Sequence, residues 1–540
     1  MRSETAASTL LLSTVSVSSN NTISSLCTPE TFLPLLSPNT TLLSAVPLPA
    51  NSTYGEGSHN LPYPTNPTNL PPLCALTLNV SSSTTSSFRV GLFLPDRWSE
   101  RILTVGNGGF GGGINWLDMG AAVRYGHAVV STDTGHNSTM GDNTWALGNE
   151  ETRKDFGWRA IHGAVELGKT LTEGYYQKEI KYSYYSGAST GGRQGLREAQ
   201  LDPSSFDGMV IGAPAWWTSH MQPWTSKVAI NNLPVGVENH VPVEMFGLIQ
   251  QEVITQCDKL DGVVDGIVTW PDRCQFDVNA LACAEDAADK SACLTPAQID
   301  TVKSFYAPYV ADGKFAFPGL GLSSEPQWPF LLSGDAPSSY GDGYVQNFLL
   351  NDPNWSWTEW QDDIVWKADA EDPGDCDADQ YAAMAAFRDR GGKIFMYHGL
   401  SDGLIPVGSS QVFYEKVAEV LGGVDNLLPW FRYFEVPGMG HVTGTAVDAP
   451  WYFAGANAAG ALGTDVYSTP GFENARHDAL LALMDWVENG KPIEEIVATT
   501  WKTSSVVDSG VLRQRPLCPW PKRQEYVGGD ETKVESFDCR

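Results

Sequence analysis

From Phe88 onward the chain carries short apolar runs, each ending in a Gly-rich or polar turn. The runs Arg89-Val90-Gly91-Leu92-Phe93-Leu94 and Ile102-Leu103-Thr104-Val105 predict strands, as do His127–Val130, Tyr182–Tyr185 and Met209–Ile211. Between them, Ile161, Ala164, Val165, Leu167 and Leu171 recur at helical spacing within Trp158–Glu173. Strands alternating with helices imply βαβ units and a mostly parallel sheet, which places the chain in the α/β class. From about Trp216 to Gln380 the alternation fails. That stretch is rich in Trp and Pro and holds two close cysteine pairs and an Asp-rich loop, which reads as an insertion or lid. The sheet signal returns at Lys393–Tyr397 and Phe431–Val436. A helix is predicted over Asn474–Glu488, with Leu480, Leu481, Leu483, Met484 and Val487 on its apolar face. Residues 1–75, rich in Ser, Thr, Pro and Asn, look like an extended arm tied down by Cys27 and Cys74. The expected organisation is an arm over 1–75, a sheet domain split between 76–220 and 381–540, and a lid over 221–380. No internal repeat or heptad pattern interrupts it.

Composition narrows the class. Hydrophobic residues make up 42% of the 540, and aromatic residues 11%, enough to fill a core rather than leave the chain disordered. A formal charge of −29 opposes nucleic-acid binding, which needs a basic surface. No apolar run approaches the ~20 residues that span a bilayer, so no membrane partner is expected. Of the 9 cysteines, all but Cys376 fall into sequential pairs, and none has the clustered spacing of a zinc site. Asn-x-Ser/Thr sequons begin at Asn20, Asn39, Asn51, Asn79, Asn137 and Asn354. Paired cysteines beside sequons favour an oxidising route and a secreted, extracellular protein. Residues 1–20 hold only a short apolar stretch, Leu10–Leu12, with Glu4 before it, so the expectation is a leader removed or replaced.

The chemistry centres on Gly187-Ala188-Ser189-Thr190-Gly191, a Gly-x-Ser-x-Gly motif after a predicted strand and before a helix. A Gly-rich loop has the same composition, but the strand-before, helix-after setting is that of a nucleophile elbow. A serine in that tight turn needs small neighbours, and its hydroxyl projects at the carboxyl edge of the sheet. A hydroxyl is a poor nucleophile until a base takes its proton and a carboxylate orients the base. In the α/β-hydrolase fold, here with a large inserted lid, the chain order is Ser, acid, His. After Ser189 the histidines are His220, His240, His398, His441 and His477. His441 ends the Gly-rich loop Val436-Pro437-Gly438-Met439-Gly440-His441 behind a predicted strand, which suits a base. His398 precedes the turn aspartate Asp402 and so has the wrong order; His477 is placed on a helix face as a surface or packing residue. Ser189, Asp402 and His441 therefore form the expected triad. The oxyanion donors are expected to be the amide of Thr190 and an amide of the Gly106–Gly113 run, at Gly108 or Gly109. A phosphate-cradling reading of that run fails because no Lys-Ser/Thr follows it.

With these residues in hand, the sequence resembles the tannase and feruloyl esterase family from about Cys27 onward, the fungal feruloyl esterases most closely. The resemblance rests on Asn107-Gly108-Gly109-Phe110, Thr132-Asp133-Thr134-Gly135-His136, Ser189–Gly195, Gly212-Ala213-Pro214-Ala215, the Asp402 loop and Pro437–His441. It implies the same triad. It also implies a structural calcium in Cys257–Ile267, held by Asp258, Asp261 and Asp265 and by the carbonyls of Val263 and Ile267; hard oxygen donors suit Ca²⁺. By the same resemblance Cys27 pairs with Cys74, Cys257 with Cys274, Cys283 with Cys293, and Cys518 with Cys539. One departure is marked. The family's cysteines before the nucleophile and after the histidine, whose disulfide couples the two loops, are here Ala188 and Val442. The expected activity is hydrolysis of hydroxycinnamoyl esters, such as feruloyl groups on plant cell-wall polysaccharide. In that picture the lid's Trp and Phe residues form the pocket for the aromatic acid. Alternatives are a tannase acting on galloyl esters and a non-catalytic hydrolase-fold protein that binds a phenolic or glycan ligand. A homodimer stays open.

Overall fold

The main sheet is built from residues that change faces one by one. Along Tyr182–Ala188, Tyr184 packs with Leu103, Val210 and Phe395, whereas its neighbour Tyr185 packs with Leu196, Met209 and Ile211. Successive side chains of a strand point to opposite faces, so both faces of this sheet are apolar and both must be covered. The computed structural model describes residues 23–284 and 291–540. The Asn20 sequon and the leader reading of residues 1–20 lie outside the described residues.

Nine strands among the described residues form this sheet. They are β1 (Thr40–Leu48), β2 (Leu73–Ser81), β3 (Ser87–Pro95), β4 (Arg101–Val105), β5 (Ala128–Thr132), β6 (Tyr182–Ala188), β7 (Gly208–Gly212), β8 (Lys393–Gly399) and β9 (Phe431–Val436). The spatial order is β1-β2-β3-β5-β4-β6-β7-β8-β9. Strands β1, β2, β3 and β5 pair antiparallel in turn, and every pairing from β5 through β4 to β9 is parallel. Helix α1 (Ala160–Tyr176) covers one face, where Gly168 lets it approach Val130 closely. On the same face lie α2 (Thr190–Leu201) and, against Met396 and Phe431, α4 (Val407–Leu421). Helix α5 (Ala479–Asn489) covers the other, with Leu480, Leu483 and Trp486 on Val210, Phe395 and Phe434. This is the α/β-hydrolase fold.

Two elements depart from the periodicity. Strand β1 lies in the polar N-terminal stretch; as an edge strand it buries little, and its apolar alternation is correspondingly weak. Helix α5 begins at Ala479 rather than Asn474, because the Asp478 carboxylate accepts from the Leu481 amide and caps the helix there. His477 consequently sits in the turn before the helix, buried against Phe472, and is not on a helix face.

The described residues between β7 and β8 contribute no strand to the large sheet. They carry α3 (Thr218–Ile230) and a small hairpin, Tyr309–Ala311 with Lys314–Phe317. Their own core gathers Trp224, Phe246, Phe305, Phe317 and Trp328. Disulfides join Cys27 to Cys74, Cys257 to Cys274, Cys283 to Cys293 and Cys518 to Cys539, and Cys376 is a buried free thiol. No helix among the described residues is long and apolar enough to cross a membrane.

Candidate active site

Ser189 joins β6 to α2 with φ 58° and ψ −124°, a conformation that a non-glycine residue holds only when its surroundings enforce it. The enforcement is visible. The Ser189 amide donates to Gly212 O at 2.8 Å, and its carbonyl accepts from Ala215 N at 3.0 Å and Arg193 N at 3.1 Å. Close backbone approach requires the flanking glycines: a Cβ at Gly191 would lie 2.8 Å from Asn107 O, and one at Gly187 2.8 Å from the Gly191 backbone. The hydroxyl stands at the carboxyl end of the sheet.

The Gly-rich loop after β4 is fastened to α2 from both sides. Gln194 Oε1 accepts from the Asn107 amide at 3.0 Å, while Gln194 Nε2 donates to Asn107 Oδ1 at 3.1 Å. Asn107 Nδ2 donates in turn to Thr132 O at 2.8 Å and Gly113 O at 3.0 Å. Thr190 Oγ1 donates to Gly109 O at 2.8 Å. The Thr190 amide, the first of α2, and the Gly109 amide have no protein acceptor among the described residues, so both are open to a developing negative charge. Gly108, the other expected donor, borders the same cavity as Ser189.

Asp402 follows β8 and is fully buried. Its Oδ1 accepts from the amides of Leu404 and Ile405, each at 2.9 Å. Its Oδ2 accepts from His441 Nδ1 at 2.7 Å and lies 3.1 Å from His398 Nε2. Burial by itself would raise this pKa. The charge on His441 and the hydrogen bonds from His398 and His441 outweigh it and hold the carboxyl well below the usual carboxylate range. His441, in the loop after β9, is held through its amide by Gln327 Oε1 at 2.9 Å. The next residue, Val442, has φ 70°, which is rare for a β-branched side chain.

Ser189 and His441 line one cavity of about 310 Å³, together with Gly108, Gly109 and Thr190. Among the described residues neither Ser189 Oγ nor His441 Nε2 has a hydrogen-bond partner, and such contacts commonly tighten only when substrate is present. The outer walls are Met140, Met221, Leu331, Leu404 and Ile405, with Gln222, Thr225, Tyr340, Thr443 and Asn457 as polar points. The expected Trp and Phe walls are absent from this lining; those side chains fill the lid's own core, where their large apolar area is fully removed from water.

In the Cys257–Ile267 loop, Asp258 Oδ1 accepts from the Asp265 and Gly266 amides at 3.3 and 3.1 Å. Asp265 Oδ2 is paired with Arg513 and Arg515. Burial, opposed by hydrogen bonds, raises the pKa of both Asp258 and Asp261, and the charge on Asp265 adds to the rise. The buried residues Val263 and Ile267 have carbonyls that receive no hydrogen bond among the described residues. Hard oxygens short of partners fit a calcium ion. The three carboxylates do not converge as tightly as His162, Glu198 and Asp202, the one potential metal-binding group within 4.8 Å among the described residues. There His162 Nδ1 is already 3.0 Å from Glu198 Oε1, and a proton satisfies that pair.

Sequence reasoning set His398 aside as a rival base, missing its place behind Asp402, and missed Gln327 altogether. His398 ends a strand four residues before Asp402, a spacing that could have marked it as a partner of the carboxylate rather than a rival base. No local signal marks Gln327.

The family described as "Tannase and feruloyl esterase" matches this chain over residues 77–330 and 375–540. A probable feruloyl esterase B-1 of Aspergillus fumigatus is 34% identical over 470 residues, covering 86% of this chain and 85% of that protein. Its Aspergillus oryzae counterpart is 33% identical, covering 86% and 83%. The crystal structure of feruloyl esterase B from Aspergillus oryzae superposes with a TM-score of 0.87 at 30% identity, over 96% of this chain and 100% of that one. Tannin acyl hydrolase from Aspergillus niger shares the fold, with a TM-score of 0.73 at 21% identity over 96% and 95%. The chain belongs to the tannase and feruloyl esterase family and is a carboxylic ester hydrolase.

Proposed function

We propose that this protein is a secreted serine esterase that cleaves feruloyl and related hydroxycinnamoyl esters of plant cell-wall polysaccharide through an acyl-enzyme. The observation that carries the reading is the cavity shared by Ser189 and His441, with the buried Asp402 carboxylate 2.7 Å behind the imidazole. Ser189 Oγ attacks the ester carbonyl while His441 Nε2 takes its proton. The negative oxygen of the tetrahedral intermediate is held by the amides of Thr190 and Gly109. His441 then returns the proton to the departing sugar oxygen as the C–O bond breaks. Water, deprotonated by His441, attacks the acyl-serine and releases the acid with Ser189 restored. Asp402 keeps the Nδ1–H tautomer and stabilises the imidazolium.

A flat aromatic acid on a propenyl arm matches a cavity whose walls are chiefly Met, Leu and Ile. A galloyl ring, with three hydroxyls and no arm, would rely on the polar points of the wall, Gln222, Thr225, Tyr340, Thr443 and Asn457, and makes tannase the second reading. Secretion is supported by the disulfides and by sequons at the exposed Asn39, Asn51, Asn137 and Asn354. Calcium would be held by Asp258, Asp261, Asp265 and the carbonyls of Val263 and Ile267; it supplies charge neutralisation to the loop and takes no part in the reaction.

The test compares kcat/KM on methyl ferulate and methyl gallate, alongside fluorophosphonate labelling of wild type and Ser189→Ala. The expected result is ferulate preference and labelling lost in the variant. Preference for gallate would make the protein a tannase, and an unlabelled wild type would make it a binding protein.

A further inference from the structure

The acid and the histidine stand on separate loops, after β8 and β9, and no covalent bond ties either to the nucleophile turn: Ala188 and Val442 flank Ser189 and His441. Yet the two loops are joined. Gln327, from the segment between β7 and β8, places a single oxygen, Oε1, between them. It accepts from the Gly403 amide, next to Asp402, at 3.0 Å and from the His441 amide at 2.9 Å. Two N–H donors converging on one atom fix that atom as the amide oxygen.

The neighbourhood is shaped around this side chain. A Cβ at Gly403 would lie 2.7 Å from Gln327 Cβ, and one at Gly440 would collide with Gln327 Nε2. The turn that presents Gln327 is itself anchored. The Gln327 amide donates to Ser324 O at 2.9 Å, Trp328 Nε1 donates to the buried Ser324 Oγ at 2.9 Å, and Ser323 Oγ is 2.7 Å from Ser401 Oγ. On the other side of the His441 amide, Val442 sits at φ 70° and must be held there by its surroundings.

We propose that Gln327 is a positioning residue, a non-covalent tie from the lid that sets the distance between the Asp402 loop and the His441 loop and so aims the imidazole at Ser189. The proposal rests on the Ser189–His441–Asp402 reading. It makes the lid part of the catalytic geometry as well as of the pocket.

Gln327→Leu keeps the approximate size and removes the acceptor. Gln327→Glu keeps an oxygen that accepts both amides and brings a negative charge near the imidazole. In the leucine variant kcat is expected to fall about 10- to 100-fold, as a misaimed base does, with KM within about threefold and the melting midpoint within a few degrees of wild type. The glutamate variant should recover kcat to within about threefold, and the acid limb of its kcat/KM profile should move to higher pH because the added charge favours the imidazolium. A leucine variant with wild-type kcat overturns the proposal. So does an equal loss in both variants that follows their melting midpoints, which would mark Gln327 as structural only. Fluorophosphonate labelling of wild type at Ser189, measured beside them, separates these outcomes from a failure of the triad itself.

Discussion

His398 Nε2 lies 3.1 Å from Asp402 Oδ2, on the side of the carboxylate away from solvent. The same nitrogen is 2.9 Å from Ile405 O, which can only accept, so Nε2 carries a hydrogen; Nδ1 lies 2.8 Å from Ser410 Oγ. His398 is therefore a donor to the carboxylate from within the core. His398→Leu would leave Asp402 short of a donor and the Ser410 hydroxyl unpaired. The expected costs are roughly 1–3 kcal/mol of stability and about tenfold in kcat, with little change in KM. Thermal denaturation and methyl ferulate kinetics on the purified variant measure both, and wild-type values for both would show that His398 is only packing.

Acid should reveal Asp402. Its pKa in the folded protein is held below the ordinary value of about 3.9, so it takes up its proton at lower pH than in the unfolded chain. The stability this contributes is complete above the unfolded pKa and disappears as pH falls through about 4 toward the folded value. Asp402→Asn lacks that contribution. The gap in melting midpoint between wild type and Asp402→Asn should be constant from pH 5 to 7 and shrink below pH 4. The same variant should lose about 10⁴-fold in kcat through the wrong histidine tautomer. A gap that does not vary with pH would mean that the carboxylate is not depressed.

The pairing of Asp402 with His441 was legible because both lie in Gly-rich turns directly after predicted strands and in the required chain order. His398 was read only as a competing base; chain order excludes it from that role and says nothing of a residue folding back on the acid from behind. Gln327 was illegible for a different reason: its turn belongs to the lid, and only tertiary packing brings it between Gly403 and Gly440. Strand β1 was missed because an edge strand needs little apolar alternation. The start of α5 was misplaced because the Asp478 cap outweighs a favourable apolar spacing further upstream. The pocket walls were misjudged because Trp and Phe serve the lid core equally well.

Cys376, the cysteine left over by the pairing, is expected to be inert. Burial pushes its thiol up to about 12, the Sγ hydrogen is directed to Pro373 O at 3.4 Å, and its carbonyl receives Arg193 Nη1 at 3.3 Å. The thiolate is the reactive form, so iodoacetamide at pH 8 should leave the native protein unmodified and label it at one site once denatured. Rapid native labelling would show that the loop around Cys376 opens.

Removing a bound cation should cost stability before it costs chemistry. If calcium neutralises Asp258 and Asp261, a chelator should lower the melting midpoint by several degrees, and added Ca²⁺, but not Mg²⁺, should restore it. KM for methyl ferulate should stay within about twofold at 25 °C. Asp258→Asn should melt lower and respond to neither reagent. A midpoint indifferent to chelator would indicate that Arg513 and Arg515, through Asp265, suffice to neutralise the loop.

The oxyanion donors can be separated from the pocket by one methyl group. Gly109 has φ +54°, and a Cβ there would lie 2.5 Å from Met140 O, so alanine forces the loop to move at the amide proposed to bind the oxyanion. Gly109→Ala should lower kcat about 10²–10³-fold, the loss typical of one oxyanion donor, while KM changes little. Thr190→Val tests the same geometry from the other side by deleting the 2.8 Å bond from Thr190 Oγ1 to Gly109 O. The valine variant should lose about tenfold in kcat, and Thr190→Ser, which keeps the hydroxyl, should lose much less. If Gly109→Ala instead raised KM at unchanged kcat, this loop would be contacting ground-state substrate, and the second donor would have to be sought elsewhere.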